Sequence, residues 1–79
     1  MLEELKASDK IVGVKQLRKA LNTGKVRKVF IARDADPMLT EPVVKQCKKL
    51  HITVVPVSTM KQLGAACSIS VDAAAAAIL

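Results

Sequence analysis

The chain has 79 residues, 51% of them hydrophobic, and a formal net charge of +6. That length gives one domain (1–79) with a thin core, the apolar fraction argues against disorder, and the excess of cations points to an anionic partner. No apolar run approaches the about 20 residues of a membrane helix, no zinc spacing joins Cys47, Cys67 and His51, and neither a glycine-rich phosphate loop nor a nucleophile motif is present.

In chain order, residues 1–7 read as a short amphipathic helix through Leu2 and Leu5, broken at Ser8-Asp9. Lys10–Val12 follows as a short strand stopped by Gly13. Val14 to Asn22 carries helical periodicity: Val14, Leu17 and Leu21 fall on one face, and Lys15, Gln16 and Lys19 on the other. Gly24 suits the residue just past that helix. A helix that starts at a glycine turn after a strand points free N–H groups at whatever sits above it. Gly13, Lys15, Gln16 and Lys19 would then form a compact donor-rich site, suited to a phosphate backbone or the acceptor edge of a guanine. The same pattern also describes a solvated basic face on an ordinary core helix. From Lys10 to Arg33 there are eight basic residues and no acidic one, which makes the charge a discrete patch.

Val26 to Ala32 is the strongest strand, and the unbroken run Val29-Phe30-Ile31-Ala32 predicts burial on both faces. Phe30, the only aromatic residue, is expected in the core, so any nucleic acid is not held on a stacking platform. Arg33 to Pro37 is a polar turn, in which Asp34 and Asp36 suit turn and capping roles better than acid/base chemistry. Asp36 or Thr40 can cap the next helix, with Pro37 or Pro42 in its first turn. Val43, Val44, Cys47 and Leu50 have core spacing there, while Lys45, Lys48 and Lys49 face water. His51 is placed to meet the carbonyls at that helix's end. Met38 and Met60 read as packing residues. Ile52 to Val57 is a second strand, with Pro56 marking its end or an edge. Ser58 can cap a helix from Thr59 to about Ala66, and a loop of small and apolar residues follows to Val71. The tail from Asp72 to Leu79 is helix by alanine propensity, or a buried strand of small residues squeezed between helices. Alternating strands and helices predict an α/β/α layered domain.

The segments Gly13-Val14-Lys15-Gln16-Leu17-Arg18-Lys19-Ala20-Leu21, Gly24-Lys25, Val29 to Pro37, and Leu63-Gly64-Ala65-Ala66-Cys67-Ser68-Ile69 together resemble the kink-turn-binding ribosomal protein family, that of large-subunit protein L-seven-Ae and its relatives. The nearest likeness is to its short bacterial branch, the YbxF-like proteins, and it covers nearly the whole chain in order and spacing. The resemblance implies a three-layer α/β/α sandwich with a small mixed four-stranded sheet, and it makes the tail a strand. It implies that the helix start after the first strand docks in the RNA major groove at a kink-turn and reads tandem sheared G·A pairs beside a three-nucleotide bulge. Carried over, Gly13 is the close-approach glycine, Lys15 and Gln16 the recognition positions, and Lys19 the basic position one turn later. The resemblance also implies that Ile69, Ser70 and Val71 would pack against nucleotides flipped from the bulge. Lys25 and Arg33 complete a cation cluster that relieves the phosphate crowding of a kink.

This chain departs from the pattern in three places. Lys15-Gln16 stands where archaeal members carry Asn-Glu, so a neutral amide replaces an acidic acceptor for guanine donors. Ala65 stands where lysine is common. Ser68 stands where glycine is usual, which costs about 1 kcal/mol if that position needs a positive φ. The expected function is recognition of kink-turn RNA, in ribosomal RNA or a structured mRNA leader, with ribosome association. The alternative is a protein-interaction or structural module of the same fold without sequence-selective RNA binding. No catalysis, cofactor, metal or membrane partner is expected. The spacing does not forbid a disulfide, but with no signal peptide, reduced thiols and a cytoplasmic monomer are expected.

Overall fold

In a computed structural model, which describes Leu5 and residues 9–79, the run Val29 to Ala32 lies in strand β2 (Lys28–Ala32). A segment apolar at every position suits a strand covered on both faces, and all four of its residues are buried. The other strands are β1 (Lys10–Val12), β3 (Thr53–Val57) and β4 (Ala75–Ile78), and the sheet order is β1-β4-β2-β3. β2 runs parallel to β3, while β4 is antiparallel to both β1 and β2. The sheet is therefore mixed and four-stranded, as the resemblance implies. Helices α1 (Val14–Leu21), α2 (Pro37–Leu50) and α3 (Met60–Ala66) connect the strands, and none of the described helices is long and apolar enough to cross a membrane.

Successive side chains on a strand point to opposite faces, and the core divides accordingly. Val29, Ile31, Ala75 and Ala77 pack with Leu17 and Leu21 of α1 and with Val43 and Cys47 of α2. Phe30, Ala32, Ala76 and Ile78 pack on the opposite face with Leu63 and Ala66 of α3, and with Leu5. This is the expected α/β/α layering.

The alanine tail is the inner strand β4, against its helix propensity. Ala75, Ala76 and Ala77 are all fully buried. Strands on both sides supply its hydrogen bonds, and helices cover both its faces, so the short methyl side chains allow the layers to close. At the edge, Pro56 is tolerated because β3 pairs only with β2.

Several local expectations shift. The helix expected over residues 1–7 lies outside the described residues, Leu5 excepted. Ordered pairing in β2 starts at Lys28 rather than Val26, although Val26 is itself buried. Gly24 has a φ of 75°, but it lies two residues beyond the α1 cap Asn22. Asp36 caps α2, its Oδ1 accepting from the Met38 N–H at 2.9 Å, with Pro37 at the helix start and Pro42 inside it. Thr40 is instead buried within α2. Thr59, not Ser58, caps α3, its hydroxyl accepting from the Gln62 N–H at 3.0 Å. Leu50 is 46% exposed and Met38 81% exposed, so neither is core, whereas Met60 does pack against the core. His51 ends α2 in the left-handed region, at φ 57°, and its backbone N–H reaches the helix carbonyls.

Cys47 and Cys67 are free, buried thiols on opposite faces of the sheet, so they form no disulfide with each other. Burial pushes both thiols up from the ordinary value of 9.0, and the charge of Lys10 opposes this at Cys67. The folded chain thus holds these protons more tightly than the unfolded chain, so their contribution to stability is intact below 9.0 and declines as pH rises past it. We predict that iodoacetamide at neutral pH modifies neither cysteine until denaturant unfolds the chain, as followed by intact mass.

Candidate nucleic-acid interface

Strand direction gathers one set of residues at one end of the sheet. β1 ends there at Val12, β2 at Ala32 and β3 at Val57, and β4 begins there at Ala75. Gly13 with the start of α1, Arg33, and Ala73-Ala74 at the entry to β4 therefore share that end.

Gly13 has φ 106° and ψ 141°, a conformation that side chains strongly disfavour. Its N–H donates to the carbonyl of Ala75 at 2.9 Å, which fixes the tip of α1 to the start of the inner strand. A Cβ at Gly13 would meet nothing within 4 Å. Backbone conformation, not crowding inside the protein, sets the requirement for glycine, and the open side lets a ligand approach the main chain closely.

No side chain caps α1 and no acidic residue lies in its first turn. The first intrahelical bond runs from the Leu17 N–H to the Gly13 carbonyl at 3.0 Å, so the N–H groups of Val14, Lys15 and Gln16 precede any intrahelical acceptor. They form the positive end of the helix dipole. Lys15, Gln16 and Lys19 are exposed, while Leu17 and Leu21 on the opposite face are buried. The helical periodicity thus places its basic and apolar faces as expected.

The loop after α3 is positioned from below. The Ile69 N–H bonds the Gly64 carbonyl at 3.1 Å and the Ser68 N–H bonds the Ala65 carbonyl at 3.0 Å. Together with φ 62° at Ser68, this is a Schellman ending, whose left-handed position is normally glycine. Ser68 therefore sits where the chain needs a positive φ. Ile69 is half-buried against the core and anchors the loop. Ser70 is exposed, and Val71, at 66% exposure, is the apolar side chain turned outward. A Cβ at Gly64 would collide with the Val71 carbonyl oxygen. Gly64 is thus what allows the loop to lie down on α3. In the sequence, an isolated glycine within a helical pattern is the signal of such a close approach.

Both aspartates of the turn after β2 act as caps. Asp36 caps α2, and Asp34 Oδ1 accepts from the Met60 N–H at 2.7 Å, tying that turn to the start of α3. Arg33 is exposed at the same end of the sheet, its N–H bonded to the Val57 carbonyl at 2.8 Å. Lys25 is not brought to the tip. It follows the far end of α1, about 12 Å along an eight-residue helix. There it shares a shallow depression on the α1 flank with Gln16 and Lys19.

A sequence profile described as the ribosomal protein L7Ae/L30e/S12e/Gadd45 family matches residues 1–79. The chain is 44% identical over 75 residues to an RNA-binding protein of Geobacillus sp. strain WCH70, covering 95% of this chain and 92% of that one. It is 41% identical over 75 residues to the RNA-binding protein YbxF of Geobacillus stearothermophilus, with 95% and 92% covered. In three dimensions it is similar to a Giardia lamblia 15.5kD RNA binding protein, with a TM-score of 0.88 at 29% identity, over 98% of this chain and 68% of that one. A Bacillus halodurans protein shares the fold, with a TM-score of 0.86 at 23% identity over 98% and 81% of the two chains.

Two substitutions test the loop. Ser68→Gly should stabilise the protein by about 1 kcal/mol in urea unfolding, by relieving the left-handed residue. Gly64→Ala should destabilise it by about 2 kcal/mol or more, because the collision is with backbone rather than with a flexible side chain.

Proposed function

The chain belongs to the ribosomal protein L7Ae/L30e/S12e/Gadd45 family, and from that premise we propose that it binds RNA and recognises kink-turns. The observation that carries this reading is the uncapped start of α1. There a glycine with open space above it leads directly into exposed Lys15 and Gln16, with no carboxylate in the first turn to satisfy the dipole. The names of the bacterial and Giardia relatives as RNA-binding proteins support the same partner class.

The roles follow from donor and acceptor chemistry. Lys15 donates to guanine O6 and N7, and the Gln16 amide both donates and accepts on a base edge. Tandem sheared G·A pairs expose such edges in a distorted groove, which the narrow major groove of regular A-form RNA does not. The α1 N–H groups and Lys19 meet phosphates. Val71 covers a base displaced from the bulge, without aromatic stacking. Arg33 and Lys25 add charge at the two ends of the footprint, and their contribution is sequence-independent and salt-sensitive. Ribosomal RNA and structured mRNA leaders both contain such folds, and association with the ribosome follows if the target is ribosomal.

The test is a titration against a kink-turn duplex and the same duplex with its G·A pairs changed. Selective binding to the first is expected. Equal, weak and salt-sensitive binding to both would reject the reading. Gln16→Ala should reduce the discrimination by roughly tenfold, consistent with about 1–3 kcal/mol for a base contact. Lys25→Ala should weaken both RNAs about equally and make the salt slope shallower by about 1.

A further inference from the structure

α1 has a second flank, facing α2, and a groove of about 1190 Å³ runs between the two helices. Lys15, Arg18 and Lys19 line it from α1, and Lys45 and Lys49 from α2. No acidic residue is among its described lining residues. Lys15 and Lys19 form one row spaced by four residues, and Lys45 and Lys49 form another. Each step is about 6 Å along its helix. Five cations and no carboxylate among the described lining residues give the groove a positive potential that favours an anion. The groove is also held in shape, since Gln46 Nε2 donates to Asn22 Oδ1 at 2.9 Å across it.

The groove is continuous with the tip, because Lys15 and Lys19 belong to both. We infer that the groove carries the continuing sugar–phosphate backbone of one arm of the RNA held at the α1 tip, with Lys45 and Lys49 as phosphate contacts. This inference rests on the RNA reading of the tip and extends its footprint onto α2. Charge and continuity select a polyanion that also occupies the neighbouring site. Leu39 and Leu50, 49% and 46% exposed at the groove, meet the apolar faces of the riboses.

The experiment pairs K45Q/K49Q with RNA arm length. The parent protein and the variant are titrated against a kink-turn duplex with two long arms, and against versions with either arm cut back. Thermal melting by circular dichroism checks the fold of the variant. Two lost phosphate contacts should weaken binding to the long-armed RNA by roughly tenfold or more and make the log–log salt slope shallower by about 1.8. Shortening one particular arm should cost the parent a similar factor and cost the variant little, because both changes remove the same contact. An unchanged affinity and slope for K45Q/K49Q, or additive effects of variant and arm length, would overturn the inference. An acidic protein segment would then be the occupant to test. Discrimination against altered G·A pairs, read in the same titrations, reports separately on the tip. Its loss in the parent protein sinks the kink-turn reading, whereas arm-length coupling alone decides the groove.

Discussion

Two adjacent carbonyls hold one end of the sheet together. The Ala75 carbonyl accepts from the Gly13 N–H and the Ala74 carbonyl accepts from the Ala32 N–H, each at 2.9 Å. Through these bonds the entry to β4 fixes where β1 hands over to α1 and where β2 hands over to its turn. The arrangement depends on β4 being an inner strand, which in turn depends on its alanines. Both faces of β4 are covered by helices, and larger side chains there would overpack a core this thin. The position of the exposed tip thus follows from small residues that no ligand touches.

The distribution of charge follows a related logic. Asp34 and Asp36 are engaged as caps for α3 and α2. They satisfy helix donors and hold the turn after β2 in place. α1 receives no such cap. A helix start left open to solvent forgoes about 0.5–2 kcal/mol of capping stability. Among the described residues, no carboxylate lines the groove that holds the cations of the α1 flank. Such a surface favours an anionic partner through long-range attraction.

The loop after α3 combines firm attachment with a local compromise. Gly64 lets the Val71 carbonyl come close to the helix, and the Schellman bonds close its end. Ser68 occupies the left-handed position without glycine's freedom. A serine in that conformation costs stability relative to glycine, but it also narrows the conformations open to the unfolded chain.

Sequence by itself determined the parts of this protein that depend on local periodicity. The two faces of α1 and the doubly buried strand at Val29 to Ala32 are short-range patterns, and a few residues suffice to state them, whereas local pattern leaves Pro56 as a strand end or an edge and leaves Asp36 or Thr40 as the α2 cap. The resemblance to a family resolved the tail as a strand. Where local chemistry offered near-equivalent choices, tertiary structure decided. Thr59 rather than Ser58 caps α3, and Leu50 falls off the core face where α2 runs past the sheet. Only the fold shows that Gly64 lies beneath Val71, that Asp34 reaches the start of α3, and that Lys45 and Lys49 line one groove with Lys15 and Lys19. These are contacts between residues distant along the chain, set by how helices cross a sheet, and such packing leaves no periodic trace in either segment alone.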